Sequence, residues 1–455
     1  MGITELFGKE NKPEYTASFM RASNVMSIWN YGFSLTGGLR AITRKLSFQN
    51  GLVVGPSGSG KSSTIFFGSL FSLLKGGSSI CVLDVDGQGF KYSSGYAHKK
   101  GYNVYCIDFS KHSDTFNPLL LCRNVTDVQK VAYLIVKNGD VESKSDPYWS
   151  TSAEMILSVF IEYLVFHVAR EFCSMANLVL LLAKFAASPK KVAQKIFRAN
   201  SESLTTKFMA MSSVSERTLQ SSVATVRAAL KVFTTPELQY CTATSTIDFA
   251  KFRQEPSVLY ICLPINQVNF YASYAALLYE SLFNEIMSRI PEDNELPVFC
   301  LLDELVTMRF SNAGLVWSNI RRFKGGCLGF IQDERMLELA WSTAECHAIK
   351  TNSYSKVYLP GQPLATCKQI EETLGKYTYY TDKGTERTRS LMTASEIRML
   401  PKDKGLILVG AEPPILATMK PYYSHFLLSR RAHIAPFDRS ANVISEPPLI
   451  IFDED

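Results

Sequence analysis

The chain has 455 residues, 46% of them hydrophobic and 20% charged, and it carries a formal net charge of +6. This composition is ordinary for a globular protein, and the mild positive charge permits contact with nucleic acid without requiring it. No stretch is typical of a signal peptide or a membrane span, because the best apolar candidate, 155–172, is interrupted by Glu162, His167 and Arg170, so we expect a soluble chain.

Strand-like runs that are apolar on both faces begin at Gly51 and alternate with helical patterns, which predicts βαβ units around a parallel sheet. Residues 122–240 instead carry helical periods, for example 149–172 and 192–208, and predict an all-helical insertion. The strand pattern then returns, so two segments of sequence build the predicted sheet. The predicted strands are 51–54, 79–83, 103–107, 258–263, 298–302, 327–331, 355–359 and 405–409.

A phosphate-binding loop follows the first predicted strand, and a helical run begins after it at Ser63. The match to the pattern Gly-x4-Gly-Lys-Ser/Thr is Gly55-Pro56-Ser57-Gly58-Ser59-Gly60-Lys61-Ser62. The glycines allow a tight loop whose backbone N–H groups wrap a triphosphate, and the helix N-terminus adds positive potential. We predict nucleotide contacts along 55–63, with Lys61 neutralising phosphate charge and Ser62 binding Mg²⁺.

A second motif follows much later, where the apolar strand 298–302 ends in Asp303 and Glu304. In a P-loop enzyme, such a strand end completes the phosphate site. We predict that Asp303 holds Mg²⁺ through water and that Glu304 activates the attacking water. We expect both carboxylates to face the loop across neighbouring strands.

Three further polar residues are candidates for the same chemistry. Gln332 ends the predicted strand 327–331, where its amide can hydrogen-bond the γ-phosphate or the attacking water. Arg321 and Arg322 precede that strand on a predicted helix. An exposed arginine near a subunit boundary can stabilise transition-state charge in a neighbouring subunit, and either arginine fits this role.

Other classes of P-loop protein fit these residues less well. A GTPase needs Asn-Lys-x-Asp, but the only Asn-Lys pair is Asn11-Lys12, which lies before the loop. No Leu-Ser-Gly-Gly-Gln-like segment of an ABC transporter subunit precedes Asp303. A small-molecule kinase would not usually need the roughly 240 residues between the two motifs. ATP and Mg²⁺ are therefore the predicted cofactors.

Several shorter segments occur in a specific order over roughly residues 30–425. They are Phe116-Asn117-Pro118-Leu119, Asp146-Pro147-Tyr148-Trp149 with Ala153, Phe233-Thr234-Thr235-Pro236, Ser245 to Phe249, Pro256 to Tyr260, Arg322 to Gln332, Asn352, Leu374-Gly375, Ser395-Glu396-Ile397, Leu400-Pro401 and Lys420-Pro421-Tyr422-Tyr423. Together with the P-loop, this series resembles the type IV secretion system coupling protein family, the conjugative DNA-transfer ATPases related to FtsK/HerA motors.

The resemblance implies an α/β fold, namely a RecA-like P-loop NTPase motor domain with a mainly parallel central sheet and an inserted all-α domain. The N-terminal segment and first part of the motor domain would occupy 1–121, the all-α domain 122–244, and the second part of the motor domain 245–429. Residues 430–455, which are rich in proline and end in three acidic residues, predict an extended acidic tail.

The same resemblance implies roles, partners and a location. Lys61, Ser62, Asp303, Glu304 and Gln332 would act as argued above, with Arg321 or Arg322 at the family's arginine position. The partners would be single-stranded DNA, relaxase or effector proteins, the ATPases of the type IV secretion channel and inner-membrane components. The protein would work as a homo-hexamer in the cytoplasm, peripheral to the cytoplasmic face of the bacterial inner membrane.

The sequence departs from the family pattern at the N-terminus and at the end of the second strand, and Gln49 stands about where the family often has a second arginine before the P-loop. Family members usually carry N-terminal transmembrane helices, and none is evident here. The second strand usually ends in Asp-x-Lys-Gly-Glu, but this chain reads Asp84-Val85-Asp86-Gly87-Gln88, which keeps the first aspartate and lacks the lysine.

Two other functions stay open on sequence grounds. The chain could be a docking adaptor that binds nucleotide for assembly and does little work, or a DNA-pumping motor unconnected with secretion. DNA-stimulated ATP turnover separates the adaptor from both motors.

Overall fold

A computed structural model describes residues 15–139 and 147–452 of the chain. The strands are β1 Gly51–Val54, β2 Ser79–Val85, β3 Asn103–Ile107, β4 Ser257–Leu263, β5 Val298–Leu302, β6 Gly325–Ile331, β7 Ser355–Tyr358, β8 Lys376–Tyr380, β9 Glu386–Ser390, β10 Lys404–Val409 and β11 Ile415–Thr418. Nine of them form one sheet in the order β11-β10-β7-β1-β6-β5-β2-β4-β3, and β8 and β9 form a separate hairpin. The other edge of β8 is bridged by Thr16, which pairs with Tyr377.

The helices cover both faces of this sheet and fill the interval between β3 and β4. They are α1 Arg44–Ser47, α2 Phe67–Gly76, α3 Gln88–Lys99, α4 Val125–Gly139, α5 Pro147–Phe166, α6 Met175–Ala187, α7 Pro189–Arg198, α8 Glu202–Ser212, α9 Glu216–Ala229, α10 Pro236–Cys241, α11 Val268–Ile286, α12 Ala313–Asn319, α13 Leu337–Ala340, α14 Thr343–Thr351, α15 Leu364–Leu374, α16 Ala394–Arg398 and α17 Phe426–Ala432.

The sheet is parallel from β7 to β3, and β10 and β11 add an antiparallel edge. Because successive side chains of a strand point to opposite faces, Leu52 and Val54 of β1 join one hydrophobic core and Val53 joins the other. This two-sided burial explains the continuous apolar runs in the sequence. The predicted α/β fold with a mainly parallel sheet is confirmed.

The order of the strands corrects one expectation about the site. The loop strand β1 and the carboxylate strand β5 are not neighbours, because β6 lies between them and pairs in parallel with both. The carboxyl ends of all three strands still meet at one edge of the sheet. That edge therefore collects the P-loop, Gln332 and the Asp303–Glu304 pair.

The described residues between β3 and β4 form helices and no strand. The helical period predicted over 192–208 divides into α7 and α8, because Asn200 takes a left-handed backbone conformation (φ 52°) and Ser201 caps α8 by accepting from the Leu204 amide. The period predicted over 149–172 ends with α5 at Phe166, and a 3-10 turn covers Arg170–Phe172. Asp146 and residues 453–455 lie outside the described residues.

One helix among the described residues is long and apolar enough to cross a membrane, judged by length and composition alone. It is the stretch Tyr148–Phe166 of α5, and half of that stretch is buried inside the protein. Its buried side chains, such as Phe160, pack against Phe185 of α6.

The C-terminal residues 433–452, here named the C-terminal strap, run without helix or strand along both parts of the protein. At the sheet, Arg439 forms an ion pair with Asp108 at 2.5 Å and stacks over the Phe90 ring. Over the helical part, the Asn177 side chain donates to the Pro448 carbonyl at 2.8 Å and accepts from the Ile450 amide at 2.9 Å. The strap thus ties the helical part to the sheet.

Replacing Arg439 by alanine is expected to lower the free energy of unfolding by about 2 kcal/mol, because a partly buried carboxylate loses its charged partner. Burial alone opposes ionisation of Asp108, but hydrogen bonds and charge from Arg439 outweigh it and lower the pKa of Asp108. This contribution is therefore present above about pH 4, the usual pKa of an unfolded aspartate, and is lost as the pH falls through the lower pKa of folded Asp108.

Thermal unfolding at neutral and acidic pH measures this effect. The exposed Arg430 of α17 offers a matched control, since Arg430→Ala should change the melting temperature little. Equal melting temperatures for both variants at neutral pH would show that the strap does not hold the fold together.

Candidate functional site

The site lies where β1, β5 and β6 end. Val54 of β1 is level with Ile331 of β6, and Leu302 of β5 is level with Gly329. The segments that follow these strands therefore emerge side by side. The backbone confirms this closeness, because the Gly55 amide donates to the Ile331 carbonyl at 3.1 Å.

The loop at 55–62 needs its glycines for conformation and for space. Gly58 and Gly60 have φ values of 76° and 89°, which lie in the left-handed region that favours glycine. A Cβ on Gly55 would lie 2.6 Å from Ser59 Oγ and 2.9 Å from Leu359 Cβ, so only glycine fits there. A π-helical turn, Ser62–Phe66, then leads directly into α2. Backbone N–H groups at this helix start are available to phosphate oxygens.

Lys61 lies folded back over its own loop. It is buried, and its Nζ donates to the Gly55 carbonyl at 2.7 Å and to the Pro56 carbonyl at 3.3 Å. Burial lowers the pKa of Lys61, whereas the carboxylates of Glu304 and Asp303 act in the opposite direction. The ammonium group is therefore held beside the loop and the acidic strand end together.

Ser62 and Asp303 bring the two sequence motifs into contact. Ser62 Oγ lies 3.4 Å from both carboxylate oxygens of Asp303, across 241 residues of sequence. Burial raises the pKa of Asp303 to about 7, and the neighbouring charges of Glu304 and Asp84 add to this effect. A cation placed between Ser62 and Asp303 would favour the ionised carboxylate.

These residues fit a magnesium–triphosphate group. A hydroxyl and a carboxylate are the hard oxygen donors that Mg²⁺ takes, with the remaining positions filled by water and phosphate. Ser59 Oγ is buried without a hydrogen-bond partner among the described atoms, and a Cβ on Gly58 would meet nothing within 4 Å, so the loop offers an unused donor and open space. Residues 55–63 would hold the phosphates, and Ser62 and Asp303 would hold the metal.

Glu304 and Gln332 stand together at the tip of the acidic strand and its neighbour. Gln332 Nε2 lies 3.5 Å from Glu304 Oε1, and Glu304 itself has a left-handed backbone (φ 53°). For a residue other than glycine, this conformation is uncommon and costs energy, so the surrounding fold must hold it.

Arg321 and Arg322 lie at the opposite end of β6. Both are exposed on the 3-10 turn Ile320–Phe323, which precedes the amino end of that strand. The seven residues of β6 span about 23 Å, so neither arginine reaches the loop of its own chain. The buried guanidinium of Arg253 donates to the carbonyls of Phe323 and Lys324 and fixes this turn.

The structure adds a buried aspartate whose role the sequence did not indicate. The carboxylate of Asp84, at the end of β2, accepts from the Gly89 and Phe90 amides at 2.8 Å each and so caps α3. Burial raises the pKa of Asp84 to about 6 despite these hydrogen bonds. A Cβ on Gly89 would come within 3.0 Å of this carboxyl group. In the sequence, Asp84 could be noticed by its position at a strand end, where the family pattern also has an aspartate.

Two more residues connect the site to distant parts of the fold. The Gln362 amide is buried and donates to the Val54 carbonyl at 3.0 Å, directly before the P-loop. Glu280 of α11 is buried and accepts from Ser311, which follows the acidic strand, and from Asn138 of α4 at 2.8 Å. The available signal for Glu280 was a carboxylate placed within the long apolar run of α11, whereas Glu285 lies at the end of that helix. No sequence signal marked Gln362.

A Gly-rich loop between a buried strand and a helix, with a lysine and a serine facing an acidic strand end, defines a P-loop nucleotide-binding protein. The family is shown by a family model described as type IV secretory system conjugative DNA transfer, which matches residues 3–443. The chain belongs to this family.

Curated relatives agree with this assignment. The protein VirD4 of Rhizobium radiobacter is 21% identical over 429 residues, and the match covers 88% of this chain and 60% of that protein. VirD4 of Rhizobium rhizogenes is 21% identical over 231 residues, which cover 47% of this chain and 34% of that protein. The chain thus spans about 60% of the length of the relative that it matches over most of its own length.

Solved structures of the plasmid coupling protein TrwB share the fold. A sulphate complex of TrwBdeltaN70 has a TM-score of 0.72 at 14% identity and covers 96% of this chain and 100% of that one. TrwB in complex with ADP and Mg²⁺ gives a TM-score of 0.71 with the same coverage and identity. TrwB has also been solved with an ATP analogue and with a GTP analogue. The RecA-like α/β fold implied by the sequence resemblance is therefore confirmed.

Proposed function

We propose that this protein is the ATP-driven motor of a conjugative coupling complex. In this proposal, subunits assemble into a homo-hexameric ring and move single-stranded DNA, with a bound relaxase or with effector proteins, into a type IV secretion channel. The ring would work beside the channel ATPases and inner-membrane components, at the cytoplasmic face of the bacterial inner membrane. The observation that carries it is the contact of Ser62 with Asp303 at 3.4 Å, because this contact joins the two halves of a nucleotide site.

The chain's own residues divide the chemistry among them. The loop amides and Lys61 would bind and neutralise the β- and γ-phosphates, and Ser62 with Asp303 would hold Mg²⁺, which supplies charge neutralisation when bound. Glu304 would accept a proton from the attacking water, while Gln332, 3.5 Å from it, would orient that water. The buried hydrogen bonds of Gln362 and Glu280 would pass changes at the site to other parts of the fold.

ATP turnover of the purified protein, measured with and without single-stranded DNA, tests the motor. Turnover that rises with DNA supports it, and mass photometry with ATP and DNA measures ring formation in the same samples. GTP serves as the comparison nucleotide. A wild-type protein that hydrolyses ATP no faster than its Lys61→Ala variant would remove the motor from consideration and favour a docking adaptor.

One of the two exposed arginines is expected to act on the neighbouring subunit's nucleotide. Because the length of β6, about 23 Å, separates both arginines from the edge of the sheet that carries the loop, either Arg321→Ala or Arg322→Ala should lower kcat by about 100-fold or more with nucleotide binding unchanged. The other variant is the matched control, since it removes the same charge from the same turn.

Mixing variants tests the subunit boundary directly. In a mixed ring, a subunit without the active arginine can receive that arginine from a Lys61→Ala neighbour, so part of the activity should return. If neither arginine variant loses activity, or if mixing restores none, the arginine assignment is wrong.

A further inference from the structure

Among the described residues, β8 and β9 are the only named strands that lie outside the nine-stranded sheet. Their hairpin belongs to the connection 359–403, which leaves the carboxyl end of β7 and returns to β10, whose Leu406 is level with Tyr358. The connection therefore begins and ends at the edge of the sheet that carries the P-loop. Neither strand of the hairpin is hydrophobic enough to have been predicted from sequence.

One face of the hairpin alternates tyrosine and arginine. Tyr377 is directly opposite Arg389, and Tyr379 is directly opposite Arg387, so all four side chains lie on the same face. The two tyrosine rings are 5.9 Å apart. Tyr379 and both arginines are exposed, and Glu396 holds Arg389 in place with bonds of 2.8 and 2.9 Å. We name these four residues the tyrosine–arginine face.

The reverse face of the hairpin is different. There Tyr380, 61% exposed, is opposite Glu386, and Thr378 is opposite Thr388. An acidic neighbour beside the aromatic ring disfavours an anionic ligand. The reverse face also carries one cation, Lys376, but Thr378 lies between it and Tyr380. Rings and cations are therefore direct cross-strand neighbours only on the tyrosine–arginine face.

We propose that the tyrosine–arginine face binds single-stranded DNA, with bases stacking on Tyr379 and phosphates contacting Arg387. This inference rests on the proposed function and identifies where its substrate is held. Aromatic rings interleaved with cations bind single strands without sequence preference, because every base has a flat face and every linkage a negative charge. A DNA duplex has the same negative charge, but its bases are stacked and have no free faces. The tyrosine–arginine face should therefore prefer single-stranded DNA.

A short path connects this face to the nucleotide. Gln362, at the start of the connection, donates to the Val54 carbonyl at 3.0 Å, and a Cβ on Gly361 would lie 3.0 Å from Pro56 of the loop. Helix α15 follows and leads to β8 at Lys376. A shift of the P-loop on nucleotide binding would therefore reach the hairpin through one helix, and DNA bound there would in turn alter ATP turnover.

Fluorescence anisotropy with labelled oligo(dT) of about 20 nucleotides tests the proposal on the full chain. The double variant Tyr379→Ala, Arg387→Ala should weaken binding by about 10- to 100-fold and lose DNA stimulation of ATP turnover, with basal turnover unchanged. Tyr379→Phe keeps the ring and should bind as the wild type does. Tyr380→Ala removes an even more exposed tyrosine from the reverse face and should change affinity less than about threefold.

Two further probes separate stacking from charge. An abasic oligonucleotide of equal length should bind the wild type about tenfold more weakly than oligo(dT) does. The single variant Tyr379→Ala should weaken binding of oligo(dT) but leave the affinity for the abasic oligonucleotide unchanged. A blunt duplex should also bind more weakly. The proposal is overturned if Tyr380→Ala and Tyr379→Ala have equal effects, if the double variant binds normally, or if the duplex binds best. If the wild type binds no DNA at all, the DNA part of the proposed function fails as well.

Discussion

Replacing Glu304 by glutamine is expected to slow ATP hydrolysis by about three orders of magnitude while ATP binding stays nearly unchanged. Glutamine keeps the size of the side chain and can still contact Gln332, which lies 3.5 Å from Glu304 Oε1, but it cannot accept the proton of the attacking water. The loop, Lys61 and the Ser62–Asp303 pair remain intact, so the triphosphate should still be held. Steady-state turnover and binding of a fluorescent ATP analogue measure the two effects separately.

The matched control for this change is Glu372→Gln, which removes one exposed carboxylate from α15 and should leave turnover as it is. The Glu304 variant should also accumulate in the ATP-bound state, which mass photometry would detect as more stable rings if assembly depends on ATP. Turnover within tenfold of the wild type would show that another group activates the water.

The geometry of parallel strands explains how much of this site could be predicted from the sequence. Their carboxyl ends share an edge, so a loop after β1 and carboxylates after β5 had to lie at the same edge of the sheet once both runs were assigned as parallel strands. The order of the strands is decided by long-range pairing, which the local pattern does not contain. For that reason the placement of β6 between β1 and β5 was not predicted, although it brings Gln332 beside Glu304.

The elements that the sequence missed have a common physical reason. Strands β8 and β9 are mostly exposed, so no core selects an apolar pattern in them. The C-terminal strap is held by single contacts, such as the Arg439–Asp108 pair and the Asn177 side chain, and a segment fixed in this way has no periodicity to detect. For the same reason, Asp84 could be recognised from the sequence by its position at a strand end. Gln362 could not be recognised, because it lies in a connection that has no sequence pattern.

The Lys61→Ala variant is expected to lose both nucleotide binding and turnover, in contrast to Glu304→Gln. Lys61 is the buried cation nearest the loop, and its Nζ already donates to the loop carbonyls of Gly55 and Pro56. Without the charge of Lys61, the repulsion between the phosphates and the carboxylates of Asp303 and Glu304 is no longer offset. The affinity for Mg-ATP should therefore fall by about 100-fold and turnover by at least about 1,000-fold.

Melting temperature measured with and without Mg-ATP reports this loss independently of catalysis. A ligand at about 100 times its Kd stabilises the folded state by about 2.7 kcal/mol, so the wild type should melt several degrees higher with nucleotide, and Lys61→Ala should not. Glu304→Gln should keep the full increase, because its binding groups are intact. Lys99→Ala, an exposed lysine at the end of α3, controls for the lost charge. An equal increase in Lys61→Ala and the wild type would mean that the triphosphate binds elsewhere, since Lys61 is the cation that contacts this loop and acts on Asp303.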